Sequence, residues 1–221
     1  TLNDAVLNLR PYSDPHFEVT VAATASPTGP SLAGKHGLGL MSIGATTDIG
    51  FDALALHWDV VEEQAAKHGQ TPDRRSWRLV GLCHLAETEE LAREQCRYGL
   101  DNYVEYFQSI AAFPQMALAG KTFDERVDFI NSSGLGVIGT PEQLIAQIHK
   151  LERQSGGFGT FLFLAHEWAS PDNTINSLEL VAQHVMPVFQ GSQAPLIRSK
   201  ERAASVREGL VAKSLVAVEQ A

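Results

Sequence analysis

The chain has 221 residues, 44% hydrophobic and 19% charged, so it can bury a sizeable core and is too apolar for intrinsic disorder; one domain is the default expectation. A formal charge of -9 supplies no basic field for a phosphate backbone, which argues against nucleic acid as a partner. No apolar run approaches the roughly 20 residues that span a bilayer, and the first fifteen residues lack a basic stretch followed by a hydrophobic one, so a soluble, cytoplasmic protein is expected.

In chain order, Phe17 to Ala23 is a short apolar run rich in β-branched residues and reads as a buried strand. Residues 26–30, Ser-Pro-Thr-Gly-Pro, interrupt it; a short helix is then expected from Ser31 to His36, stopped by Gly37, with a second strand from Leu38 to Ile43. Leu54, Trp58, Val61 and Ala65 recur at helical spacing between Asp52 and His68, ahead of Gly69. Trp77 to Leu85 reads as the third strand. Thr88 caps a helix opened by Glu89 and Glu90; Ala92, Cys96, Leu100, Tyr103 and Phe107 line one face of it, predicting about five turns.

Residues 109–139 are irregular, with Pro114 and several glycines, and allow a helical turn or two between Phe123 and Asn131. Thr140-Pro141-Glu142-Gln143 supplies a cap, a first-turn proline and a capping-box glutamine for a helix that buries Leu144, Ile148 and Leu151. Thr160 to Ala165 is so continuously apolar that a strand covered on both faces is expected. Ser170 and Pro171 open a last core helix with Leu178, Val181, Val185 and Val188 as its buried stripe, and residues 191–221 form an amphipathic tail, expected to be a solvated helix.

Four strands, each followed by a helix, imply right-handed βαβ units and a parallel α/β sheet. Four units are half of an eight-stranded β/α barrel. An isolated half leaves two sheet edges and one apolar face open, so further strands or a second subunit are expected to complete it; an open doubly wound sheet is the competing architecture.

Several residues have the chemistry of a site. Ser26, Thr28 and Gly29 put two hydroxyls and free backbone N–H groups at a helix start, which suits a phosphate and equally suits an ordinary βα turn. Gly44 ends the second strand and either leaves room for a flat ring or makes a turn. His84 lies near the end of the third strand, either as a proton donor or as a structural histidine. His166, Glu167 and Trp168 follow the last strand and offer a titratable pair with an aromatic wall, or else local pairing and packing. Cys83 and Cys96 read as packing residues. His57 and His68 lack the neighbours zinc would need, and no metal is expected. The glycines of residues 34–39 follow a helix rather than a strand and do not make a dinucleotide fingerprint.

The run from Val21 to Gly37 resembles the fifth strand and following loop of luciferase-like flavin monooxygenases. Arg10-Pro11-Tyr12, residues 137–142 and residues 156–160 are similar to other family signposts, and residues 165–168, Ala-His-Glu-Trp, resemble the limonene monooxygenase subgroup. The resemblance runs from about Leu9 to Gln190. It implies a TIM-type (β/α)8 barrel of which this chain holds strands 5 to 8, with residues 1–190 as the later part of the barrel and the first four strands expected before Thr1. It also implies reduced FMN, or its adenine dinucleotide form FAD, with the flavin phosphate at Ser26, Thr28 and Gly29. The reaction implied transfers one oxygen atom from O2 to a small apolar organic substrate such as a monoterpene, with a separate flavin reductase as partner. A deazaflavin-dependent oxidoreductase on the same fold and a non-catalytic flavin-binding half-barrel are the alternatives.

Overall fold

The computed structural model describes residues 3, 9, 11–14, 17–110, 119–192 and 194–219. Arg10 and Pro114 lie outside the described residues. Five strands, all parallel, form one sheet: β1 (Thr20–Ala23), β2 (Gly39–Ile43), β3 (Trp77–Leu85), β4 (Gly136–Gly139) and β5 (Thr160–Phe163). β1 pairs with β2 and β2 with the first half of β3, where Leu40 faces Trp77 and Ile43 faces Val80. Arg78 to Gly81 also pair with Thr160 to Phe163, so β2 and β5 occupy opposite edges of β3. β4 continues along the second half of β3, Leu82 facing Gly136. Among the described residues no strand pairs with the outer edge of β1 or the far edge of β5.

The helices are α1 (Thr28–His36), α2 (Asp48–His68), α3 (Glu89–Cys96), α4 (Leu100–Ile110), α5 (Phe123–Ser132), α6 (Pro141–Ser155), α7 (Pro171–Leu180), α8 (Met186–Gln190) and α9 (Ala194–Glu219). Their starts follow the expected capping chemistry: Thr88 Oγ1 accepts the Leu91 N–H, and Ser170 Oγ accepts that of Asn173. α1 and α2 cross so closely that a Cβ on Gly34 would lie 2.3 Å from the Val61 carbonyl oxygen. Below them Trp58 stacks on Trp77 at 5.4 Å, and the Arg74 guanidinium lies over both rings while it donates to the Ser155 and Gly157 carbonyls. That arrangement ties the end of α6 to the base of β3.

Five expectations need correction. α1 begins at Thr28, not Ser31, because Pro30 falls in the first turn, where a missing N–H costs no intrahelical bond. The long helix after Thr88 is two helices. Gly99 breaks it: its N–H donates to the Trp168 carbonyl, and a Cβ there would sit 2.0 Å from the Glu167 carbonyl oxygen. Residues 109–139 hold a full helix, α5, with a Thr122–Glu125 capping box, and a fifth strand, β4. β5 ends at Phe163 and is only partly covered, Phe163 and Leu164 being exposed, because no strand among the described residues packs along its far edge. In the last core helix Val181 and Val185 are buried but Leu178 and Val188 are exposed. The turn Val181–Val185 widens to a π-helix and shifts the stripe, so Ser177 faces inward and its Oγ accepts the Leu85 N–H at 2.8 Å.

Candidate active site

Since all five strands are parallel, every strand-to-helix loop leaves from one rim of the sheet. Ser26, Thr28 and Gly29 stand there after β1, Gly44 after β2, and His166, Glu167 and Trp168 after β5. His84 lies inside β3, one residue short of its end.

After β1 the chain turns into α1 without a side-chain cap and without an acidic residue in the first turn. The Thr28 and Gly29 N–H groups therefore point out of the helix start with no intrahelical acceptor, where the helix dipole favours an anion. Ser26 and Thr28 are exposed beside them. Gly29 is held flush against β1: a Cβ would lie 2.7 Å from the Ala23 Cβ and 2.9 Å from the Ala22 carbonyl oxygen. Two hydroxyls, two free N–H groups and no carboxylate make a donor set that fits a phosphate monoester dianion.

Gly44 is buried with φ 69°, and its carbonyl accepts from both the N–H and the Oγ1 of Thr47. Its position closes a turn, a backbone conformation that favours glycine.

The rim beyond β5 carries a cavity of about 690 Å3, lined by Tyr98, Gly99, Asn102, Tyr103, Tyr106, Ala165, His166 and Glu167. That volume is ample for a small organic molecule. His166 forms part of its wall. The Nε2–H donates to the Cys83 carbonyl at 2.8 Å, and Nδ1 faces the Trp168 N–H at 3.4 Å, which fixes the neutral Nε2–H tautomer. Burial, with the nearby His84 as a smaller influence, depresses its pKa to about 4, although the Cys83 carbonyl opposes the shift. A group so depressed is neutral at physiological pH; it orients and hydrogen-bonds rather than carrying charge. Glu167 is exposed at the mouth.

Trp168 does not line the cavity. Its ring is fully buried, stacks on His166 at 4.0 Å and meets Tyr103 edge-on at 5.7 Å, so it backs the wall from behind. Its indole N–H has no partner. His84 is likewise enclosed: it shares a 2.8 Å hydrogen bond with the Gln95 side chain, and burial lowers its pKa. The two cysteine thiols are buried and pushed up to about 12 by desolvation, which suits packing rather than nucleophilic chemistry.

Tyr98, Asn102 and Tyr106 were not among the expected site residues. Their spacing of four puts them along one side of the α3–α4 segment, a pattern visible in the sequence but obscured by the stronger apolar face beside it. Among the described residues no helix is long and apolar enough to cross a membrane, and no three of His, Cys, Asp and Glu gather to hold a metal ion.

The chain is 48% identical to limonene 1,2-monooxygenase of Rhodococcus erythropolis over 198 residues, covering 90% of this chain and 50% of that one. It is 31% identical to 4-hydroxyprotoasukamycin monooxygenase of Streptomyces nodosus subsp. asukaensis, over 86% of this chain and 52% of the relative. The chain thus spans about half the length of these curated relatives. Among solved structures, a monooxygenase from Streptomyces bottropensis matches with a TM-score of 0.64 at 18% identity, covering 82% of this chain and 51% of that one. The oxygenating constituent of 3,6-diketocamphane monooxygenase of Pseudomonas putida, solved in complex with FMN, matches at 0.56 and 24% identity, covering 78% of this chain and 49% of that one. Both likenesses are of fold. The model of the luciferase-like monooxygenase family matches residues 1–157, and with the parallel sheet and these relatives it establishes that the chain belongs to that family.

Proposed function

We propose that the chain is the later half of a flavin-dependent monooxygenase barrel, with β1, β2, β3 and β5 as its fifth to eighth strands, and that residues 26–29 hold the phosphate of FMN. Among the described residues the outer edges of β1 and β5 carry no partner strand, which supports this reading, since they are where the remaining strands of a closed barrel, from the preceding half or a second subunit, would pair. The observation that carries it is the start of α1: an uncapped helix end, free of acidic residues, with two exposed hydroxyls and a glycine pressed against the strand before it. FAD would present a phosphate to the same donors.

Reduced flavin with O2 supplies the oxygen-transfer chemistry; binding, orientation and water exclusion fall to the protein. Ser26 and Thr28 donate hydroxyl hydrogens to the phosphate, and Gly29 brings its N–H within reach. Neutral His166, fixed by Cys83, forms the polar part of a largely aromatic pocket for a small apolar substrate such as a monoterpene. Glu167 places a carboxyl group at the mouth, exposed to incoming ligands. His84 and Trp168 hold that wall from behind, and the Gly44 turn shapes the rim between the phosphate loop and the pocket. A separate reductase supplies the reduced flavin.

Ser26→Ala tests the phosphate assignment. It should weaken FMN binding about tenfold in a fluorescence titration and leave riboflavin, which has no phosphate, nearly unchanged. Equal losses for the two ligands would remove Ser26 from the phosphate site.

A further inference from the structure

A buried polar chain runs from the core to the underside of the loop between β1 and α1. Trp77 Nε1–H donates to Ser42 Oγ at 3.0 Å, and Ser42 Oγ lies 3.2 Å from His57 Nδ1. Indole is only a donor, so Ser42 accepts from Trp77; Nδ1 is then the acceptor that pairs the hydroxyl's own hydrogen, and with that bond made the His57 proton sits on Nε2. His57 is 2% exposed, and Nε2 has no hydrogen-bond partner. Burial lowers the pKa of the ring, and the Ala25 backbone, near enough to act on it as a hydrogen-bond acceptor, opposes that shift only in part. Ala25 is the residue immediately before Ser26. An imidazole N–H shut away from water costs free energy until an acceptor completes its bond, and the Ala25 backbone is the group that acts on this ring.

Resting on the phosphate reading above, we propose that His57 is a positioning residue for the phosphate loop: its Nε2–H completes a hydrogen bond to the Ala25 carbonyl when an anion seats at the start of α1. Gly29 is pressed on Ala23 and Gly34 on Val61, so α1 is held against β1 and α2, and residues 24–27 carry the chain from that fixed strand to that fixed helix. Trp77 and Ser42 hold the histidine in one tautomer, so the donor faces the loop before the ligand arrives. His57 acts through the backbone of the loop and touches neither phosphate nor substrate.

The test is the ratio of FMN to riboflavin affinity, measured by flavin fluorescence on the whole chain for the unmodified protein, His57→Leu and His57→Gln, each first shown to be folded by circular dichroism. A residue that merely supports the fold would lower both affinities together. A positioning role lowers the FMN-over-riboflavin preference about threefold to tenfold in His57→Leu, and His57→Gln, which offers an amide N–H near Nε2, restores most of it. If His57→Leu retains the full preference of the unmodified chain, the role assigned to His57 is overturned while the phosphate site stands. If the unmodified chain shows no preference for FMN, whether it binds both flavins or neither, the phosphate reading fails and this inference falls with it.

Discussion

Gly99→Ala sets two effects of known size against each other. At the α3–α4 junction alanine would ordinarily help, since it is favoured over glycine in helical segments by up to about 1 kcal/mol. Here the added Cβ meets the Glu167 carbonyl oxygen at 2.0 Å, where ordinary contact begins at 3.4 Å, so the loop after β5 must retreat by about 1.4 Å. The obstacle is backbone and cannot rotate away. Overpacking of this kind costs about 1–3 kcal/mol, and the retreat also breaks the 3.0 Å bond from the Gly99 N–H to the Trp168 carbonyl, worth roughly 1 kcal/mol more. The expected outcome is a net loss of about 1–3 kcal/mol in urea unfolding at neutral pH, accompanied by red-shifted tryptophan emission as Trp168 loses its enclosed position. A variant as stable as the parent, with unchanged emission, would show that the loop yields freely and that Gly99 does not fix the pocket wall.

Two further outcomes follow from buried groups. His166 has a pKa of about 4 in the fold against 6.5 for the ordinary group, so the unfolded chain binds the extra proton between those values. Its contribution to stability is present above pH 6.5 and is lost as pH falls toward 4, about 2 kcal/mol by pH 5; His57 and His84, also depressed by burial, act in the same direction. Urea midpoints measured from pH 7.5 to 5 should fall accordingly, with a smaller fall in His166→Phe, and a flat profile in the parent would contradict the neutral, buried imidazole. Ser177→Ala removes the acceptor of the buried Leu85 N–H and should destabilise by about 1–3 kcal/mol; hydrogen exchange at the Leu85 amide no faster than in the parent would argue that another group satisfies it.

The sequence by itself determined the class of the molecule. β-branched runs ending at glycine or proline, alternating with helical stripes, required parallel βαβ units, and the helix starts at Thr88, Thr140 and Ser170 were legible because capping is local chemistry. The order of motifs from Val21 to Trp168 carried the family. Local chemistry also placed Ser26, Thr28 and Gly29 together, since four consecutive residues at a strand-to-helix turn have nowhere else to go.

Only the tertiary structure decided which groups share a wall. The four-residue strand β4 is too short and too glycine-bounded for a periodic signal, and it becomes a strand through pairing with β3. Gly99 breaks a helix for a reason 68 residues away, the backbone of Glu167. His166 and Trp168, two residues apart, were indistinguishable as pocket candidates, yet Tyr103 and Cys83 draw one to the cavity surface and seal the other behind it. His57, which in the sequence shows only that it lacks the neighbours zinc would need, is held by Ser42 and Trp77 from two different strands, with the Ala25 backbone acting on its ring. Contacts of that kind depend on how the elements cross, and no spacing along the chain encodes them.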